Sequence, residues 1–497
     1  MKLPDPKAEP NSGDVQSSAP VDVQGGDPSA PRFDSRLRLL VLLAFAALLW
    51  WLPAPAGLEP RGWHLLGLFL STIMGFVLQP LPMGPLVLLA LSLICLTRLA
   101  SLDQALAGYA DHTVWLVVAA FLLAGVVRLT GLGRRIALNL ICRLGHTLTG
   151  LGHAICASEL ILGPVVPSNT ARGGGILAPL VQALAQSLDD GRNQAGRYLA
   201  LVGAHANLVS AAMFLTGMAA NPLVAKAASE IYHLDFSWSR WALGALVPGL
   251  TSLLLLPLWL GWLIKLPKSI DTSRARQGAA ADLNAMGAWS WQEKTTLVTL
   301  AFLLLLWASK PWHGLDATLV AWLGLLILIA SGVQNWFKLL EDSGAFDTLI
   351  WLGGLLTMGN LLKEAGVVDW FAGSAKVLLT GAGLQGLPLL LGLALLYFYS
   401  MYGFSMLTAH ISALIAAFMT LALAAGSPPL ISVALLAYCS DLCACLTPFS
   451  SGPVIIYFGL GYTSAREWFR IGFLVSLFHL LIWFGLGLAW WKLLGWW

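Results

Sequence analysis

The sequence predicts an all-α polytopic membrane protein, with about 11 transmembrane helices and two re-entrant hairpins arranged as two inverted repeats. Three observations carry that prediction. Of the 497 residues, 58% are hydrophobic and only 11% are charged, against roughly 25% charged in soluble domains, so most of the surface must face lipid. Apolar runs close to the length that a bilayer requires recur along almost the whole chain. Two of these runs are broken midway by short polar residues, and the two halves of the chain repeat one another at a nearly constant offset.

The same composition excludes several classes. The formal charge is only +3, and the Lys and Arg residues are scattered at segment ends, so no basic face exists that could follow a nucleic-acid backbone. The six cysteines (Cys95, Cys142, Cys156, Cys439, Cys443, Cys445) lie within or beside apolar stretches and form no C-x-x-C pair. They read as small hydrophobes rather than a metal or redox site, and no cofactor is expected.

In chain order, residues 1–36 carry six acidic and four basic residues without hydrophobic periodicity and read as a disordered tail. No cleavable signal pattern follows, so the first apolar run, near 37–53, is expected to be a retained span. Further spans are expected near 62–79, 84–97, 113–130, 198–224, 241–264, 294–309, 317–334, 346–362, 428–460 and 468–494. Residues 136–188 are interrupted at Pro167, Ser168, Asn169 and Thr170, and residues 368–425 at Ser405, Thr408 and His410. Irregular backbone at membrane depth survives only where protein or a water-filled cavity covers it, so these two interruptions predict hairpins and mark the site. Arg32, Arg36 and Arg38, with Lys265, Lys268, Arg274, Arg276 and Lys294, place the N-terminus and the loop 265–293 in the cytoplasm. Six spans between them return the chain to its starting side, and five more leave the C-terminus outside. The first half is then 37–264 and the second 294–497.

Thr113, Arg128 and Gly131 recur as Thr348, Lys363 and Gly366, each 235 positions later, and Thr216-Gly217 recurs as Ser451-Gly452 at the same shift. Thr170-Ala171-Arg172 recurs as Thr408-Ala409-His410 after 238 positions. With an odd number of crossings between equivalent hairpins the halves are inverted, the plan of a secondary transporter whose site lies where the repeats meet.

The chemistry concentrates at the interruptions. Residues 377–440 contain no Asp, Glu, Lys or Arg, which leaves His410 as their one readily protonated side chain. An ionisable group inside the membrane is a functional hypothesis by default. Arg172 is its repeat counterpart, and together they make a field suited to an anion with two or three carboxylates. The structural alternatives are a hydrogen-bonded core histidine and an arginine reaching to the cytoplasmic surface. Ser168, Asn169 and Thr170 offer donors beside exposed helix-end N–H groups. The segments Thr216–Pro222 and Thr447–Pro453 interrupt their spans, with Gly217 and Gly452 loosening the turn.

The stretches PSNTARGGG (167–175), SAAMFLTGMAANPL (210–223), YFYSMYGFSMLTAHISAL (397–414) and GPVIIYFGLGY (452–462) resemble the divalent anion/sodium symporter family, in its branch of citrate and 2-oxoglutarate/malate exchangers. The resemblance runs from about residue 60 to the C-terminus. It implies an inverted-repeat elevator transporter in the inner membrane of a bacterium, a homodimer whose moving domain holds both hairpins. It also implies carboxylate binding at Ser168, Asn169 and Thr170, with Thr216, Gly217, Ser405, Thr408, Thr447, Ser451 and Gly452 completing the substrate site. Arg172 and His410 would take the place of sodium as fixed cations, which implies obligatory exchange. The chain departs from the family at Met406, where relatives have serine and Ser405 is the nearest hydroxyl, at Pro448-Phe449, and at Asp441 in place of asparagine. Asp441 lies 234 positions after Asn207, and both are candidates for pH tuning, Asp441 either as a protonated donor or as an ionic partner of His410. Coupled symport of the same anions is the alternative. An integral-membrane enzyme is the reading from another class, but no cluster of catalytic carboxylates or histidines at an interfacial loop supports it.

Overall fold

The computed structural model describes residues 35–188, 193–267, 270–381 and 385–497. The expected tail lies outside these, except for its last two residues, which begin the first helix. Among the described residues the chain is helical throughout, without strands. The first group of helices is α1 (Ser35–Trp51), α2 (Pro60–Leu78), α3 (Met83–Leu96), the short α4 (Leu102–Leu106) and α5 (His112–Thr130). Helix α6 (Leu132–Leu144) leads to the first hairpin, α7 (Leu148–Leu162) and α8 (Ala178–Ser187), the latter preceded by a π-helical stretch, Thr170–Leu177. A broken helix follows as α9 (Gln194–Met213) and α10 (Asn221–Tyr232), then α11 (Trp238–Leu263).

Helix α12 (Ser273–Ala285) occupies the segment read as a loop and joins the halves. The second half contains α13 (Trp291–Ala308), α14 (Lys310–His313), α15 (Ala317–Ala330), α16 (Trp336–Leu339), α17 (Ser343–Glu364) and α18 (Val367–Gly381). Its hairpin is α19 (Gly386–Tyr399) and α20 (Leu407–Ala424), its broken helix α21 (Pro429–Leu442) and α22 (Gly452–Gly459), and its last span α23 (Ala465–Leu480) running through a π-turn into α24 (Leu488–Leu493). All eleven expected spans coincide with helices. Eight helical segments among the described residues are at least 18 residues long and apolar enough to cross a bilayer.

The repeat is visible in how helices end. Asp111 caps α5 by accepting from the Thr113 N–H at 2.8 Å, and Asp342 caps α17 by accepting from the Ala345 N–H at 3.0 Å. Both helices stop at a left-handed glycine, Gly131 (φ +74°) and Gly366 (φ +71°), a conformation that L-residues with a Cβ rarely adopt. The recurring Thr-to-Gly motif is therefore a helix with its terminator. In both repeats an amphipathic helix, α6 or α18, stands between this span and the hairpin, so the hairpin pairs are shorter than the interrupted regions in the sequence. Gly145 ends α6, and Thr147 starts α7 by accepting from the Gly150 N–H at 3.0 Å.

Two groups of helices emerge from the packing. Helices α1–α5 pack with α13, α15 and α17, while both hairpins, both broken helices, α11 and α23 form the other group. Helix α12 lies across α6 and α8, held by an Arg134–Asp282 ion pair at 2.8 Å. Arg135 is buried against Glu293 at 2.5 Å and donates to the Met286 and Gly287 carbonyls.

Candidate functional site

Both broken helices break in the same way. After α9 the backbone turns extended at Phe214 and Met218 around a short 3-10 turn, and α10 restarts with Pro222 in its first turn. After α21 it turns extended at Thr447 and Ser451, and α22 restarts with Pro453 in its first turn. Proline is favoured there because the first-turn N–H groups have no intrahelical acceptor. The freed backbone groups meet the hairpin tips. Arg172 Nη1 donates to Gly217 O at 3.1 Å, Thr216 Oγ1 to Pro164 O at 2.7 Å, and Leu407 N–H to Ser450 O at 2.7 Å.

The first tip also reaches the second break. A Cβ on Gly452 would lie 2.2 Å from Thr170 Oγ1, and one on Gly173 would lie 2.7 Å from Asn207 Nδ2 and 3.1 Å from Pro453 Cβ. The structure thus brings Asn169, Thr170, Arg172, Asn207, Thr216 and Gly217 together with Ser451 and Gly452. Ser168 caps the tip, its Oγ accepting from the Ala171 N–H at 3.1 Å. At the second tip Ser405 Oγ donates to Val77 O of α2 at 3.2 Å, and Thr408 is half-buried in the first turn of α20.

Arg172 does not reach the surface. It is fully buried in the π-helical stretch, where three glycines, Gly173–Gly175, permit the wide turn. All five of its donors are taken: Nε by Glu159 Oε2 at 2.6 Å, Nη1 by Val166 O at 2.7 Å and Gly217 O, and Nη2 by Ser210 Oγ at 2.9 Å and Asn207 O at 3.5 Å. Glu159 is equally buried and also accepts from Asn207 Nδ2 at 3.0 Å and Ser210 Oγ at 3.0 Å. A neighbouring carboxylate thus pairs with Arg172, and three backbone carbonyls hold its guanidinium. Sequence reasoning missed Glu159 and Ser210. Glu159 carries a usable signal, being a lone carboxylate in an apolar run.

His410 has no such partner. It is fully buried, with Nε2 at 3.0 Å from Tyr397 O and 2.9 Å from Ser400 Oγ, and its ring rests 4.5 Å from that of Tyr397 and 5.1 Å from that of Phe404. Tyr397 follows Glu159 by 238 positions, as His410 follows Arg172. The two repeats therefore use equivalent positions for a carboxylate in one and an aromatic residue in the other. Asp441 is fully buried, which excludes an acid reaching to solvent, and no His410–Asp441 ion pair exists among the described residues. Neither of its carboxyl oxygens has a hydrogen-bond partner among the described residues.

Several buried polar atoms here have no partner among the described residues: Asn169 Nδ2, Asn207 Oδ1, Thr447 Oγ1 and Ser451 Oγ. Three of these can donate, and they come from both repeats. Such an arrangement can satisfy an oxygen-rich anion. All six cysteines are free, and no group of three or more metal-ligating side chains occurs among the described residues.

Residues 34–497 match the family model for the sodium:sulfate symporter transmembrane region. The chain belongs to the divalent anion/sodium symporter family. It is 38% identical to the YflS protein of Bacillus subtilis (strain 168) over 92% of this chain and 96% of that one. It is 37% identical to dicarboxylate transporter 1 of Arabidopsis thaliana chloroplasts, over 92% of this chain and 83% of that one. Inner membrane protein YbhI of Escherichia coli (strain K12) is 33% identical, over 92% and 98%. Among solved structures, the Alcanivorax borkumensis YdaH transporter aligns with a TM-score of 0.53 at 16% identity, covering 93% of this chain and 97% of that one, a likeness of fold alone. As a member of that family the protein is a multi-pass membrane transporter.

Proposed function

We propose that the chain exchanges di- or tricarboxylate anions, of the 2-oxoglutarate, malate, succinate, fumarate or citrate class, across a bacterial inner membrane by an elevator movement. In this reading the N-terminus is cytoplasmic and the protein a homodimer. The helices α1–α5, α13, α15 and α17 form the scaffold, and the hairpins, broken helices, α11 and α23 move as one body. Ser168, Asn169 and Thr170, with Thr216, Gly217, Ser405, Thr408, Thr447, Ser451 and Gly452, build the substrate site. Arg172 and His410 stand where other family members hold sodium. The Arabidopsis relative named a dicarboxylate transporter supports the substrate class.

The observation that carries exchange is the set of buried donors without partners, Asn169 Nδ2, Thr447 Oγ1 and Ser451 Oγ. Each unsatisfied buried donor costs about 1–3 kcal/mol, and substrate carboxylate oxygens remove that cost. A site emptied of anion crosses the membrane against it, so return without substrate is slow. The guanidinium of Arg172, bound covalently and held by the Val166, Asn207 and Gly217 carbonyls, replaces a cation that could otherwise dissociate and couple.

Counterflow in proteoliposomes tests this. Labelled anion outside should enter only when unlabelled anion is inside, and replacing Na⁺ by K⁺ should leave the rate unchanged. Uptake into anion-free liposomes driven by a Na⁺ gradient would refute exchange and establish the symport alternative.

A further inference from the structure

Both hairpins are fastened across their own turns in the same register. Arg172 reaches back 13 positions to Glu159 on the first arm, and His410 reaches back 13 positions to Tyr397. Each first-arm residue is tied in turn to a serine of the broken helix that follows. Glu159 Oε2 accepts from Ser210 Oγ of α9 at 3.0 Å, and the Tyr397 hydroxyl meets Ser440 Oγ of α21 at 2.8 Å. The first fastening is an ion pair, whereas the second contains no carboxylate.

The hydrogen positions at His410 follow from its partners. Ser400 Oγ donates its single hydrogen to Tyr397 O at 2.8 Å, so it can only accept from Nε2, 2.9 Å away. Tyr397 O, 3.0 Å from Nε2, is likewise an acceptor. Nε2 therefore carries a hydrogen. On the other side of the ring, Nδ1 faces the Cys443 sulfur at 4.0 Å, and that thiol gives its own hydrogen to Ser440 O at 3.4 Å. A hydrogen on Nδ1 would find only a distant sulfur, which is a weak acceptor. The rings packed against the imidazole, Tyr397 and Phe404, bring no charge. Asp441, two positions before Cys443, has no hydrogen-bond partner at either oxygen among the described residues. A second proton would thus leave a fully buried cation without a counter-charge.

We propose that His410 is a neutral positioning residue. Its Nε2–H holds the end of α19, where the chain enters the 3-10 turn Ser400–Gly403, and so fixes the second hairpin tip. That tip meets the second break, where the Leu407 N–H donates to Ser450 O at 2.7 Å, next to Ser451. The inference deepens the exchange reading and rests on it for the transport measurement. The two hairpins then perform one mechanical task with unlike chemistry: a guanidinium–carboxylate pair in the first, a neutral imidazole on a carbonyl in the second. Substrate carboxylates are accordingly held by neutral donors, Asn169 Nδ2, Thr447 Oγ1 and Ser451 Oγ, rather than by a cation of the second tip.

Two measurements on the full-length protein in lipid test the proposal. Nitrogen NMR of histidine-labelled protein, with His410→Gln used to pick out the His410 signals among the nine histidines, should show two widely separated ring resonances at neutral pH, one from a protonated nitrogen and one from a bare nitrogen. Two neighbouring resonances, the mark of an imidazolium, would overturn the neutral assignment. In counterflow of labelled malate, His410→Gln keeps an uncharged N–H donor and should stay within about tenfold of wild type, whereas His410→Lys, a cation without a counter-charge there, should lose about a hundredfold or more. A lysine variant as active as the glutamine variant, or more active, would overturn the positioning role. Absence of wild-type counterflow would sink the exchange reading and with it the positioning role, while the nitrogen spectrum decides the charge of His410 separately.

Discussion

Arg172 and Glu159 set the residue scale, because a charge pair with no exposure to solvent behaves unlike the same pair at a surface. Removing one partner of a buried pair leaves the other uncompensated, which costs about 3–5 kcal/mol. Glu159→Gln keeps the shape but strands the guanidinium, and it should lower the thermal unfolding midpoint of the purified protein markedly. An unchanged midpoint would show that the carbonyls alone hold Arg172. Arg172→Ala should abolish counterflow and, since the side chain ties the first tip to the first break, should also destabilise the fold. Arg172→Lys should fall between alanine and wild type, because one ammonium cannot serve five acceptors set in a planar fork. Counterflow rates of the three proteins check that order.

At the scale of elements, the contact between the first hairpin and the second broken helix depends on the absence of a side chain at Gly452, where a Cβ would stand 2.2 Å from Thr170 Oγ1. Thr170 is β-branched and confined by its helix, so it yields poorly. Gly452→Ala should overpack this contact by about 1–3 kcal/mol and reduce counterflow roughly tenfold or more. Gly459→Ala, at the other end of α22 with open space around it, is the matched control and should leave both transport and unfolding near wild type. Equal losses in the two variants would show that α22 tolerates no alanine for reasons unrelated to the hairpin.

For the whole molecule, two ion pairs join the helix groups: Lys226 of α10 to Asp111 at the start of α5, at 2.8 Å, and Lys310 of α14 to Asp235 before α11, at 2.9 Å. Burial pushes the Asp111 carboxyl up, but hydrogen bonds from Lys226 and Thr113 outweigh it and hold it below the usual carboxylate range. A carboxylate lowered in the folded state adds stability that is present at neutral pH and is lost as pH falls through its lowered value. Thermal unfolding followed from neutral to acid pH should therefore show a loss that Asp111→Asn removes in part. An identical acid slope in the variant would mean that this pair contributes nothing measurable to stability.

The membrane class, the helical positions of the apolar runs, both interruptions and the recurrence of motifs between the halves followed from the sequence by itself, because run length, proline, glycine and offset are read along the chain and tertiary packing does not alter them. Asn169, Thr170 and Gly452 were legible for the same reason, each standing at a break. Tertiary structure decided which group satisfies which. Arg172 reads as a cation without a partner until Glu159 of α7, on the other arm of the same hairpin, is seen to pair with it. Asp441 reads as an ionic partner of His410 until both of its carboxyl oxygens are seen to lack a partner among the described residues. Hydrogen-bond saturation depends on directions between distant segments, which spacing along a chain does not encode, and a buried site takes its charge state from that saturation.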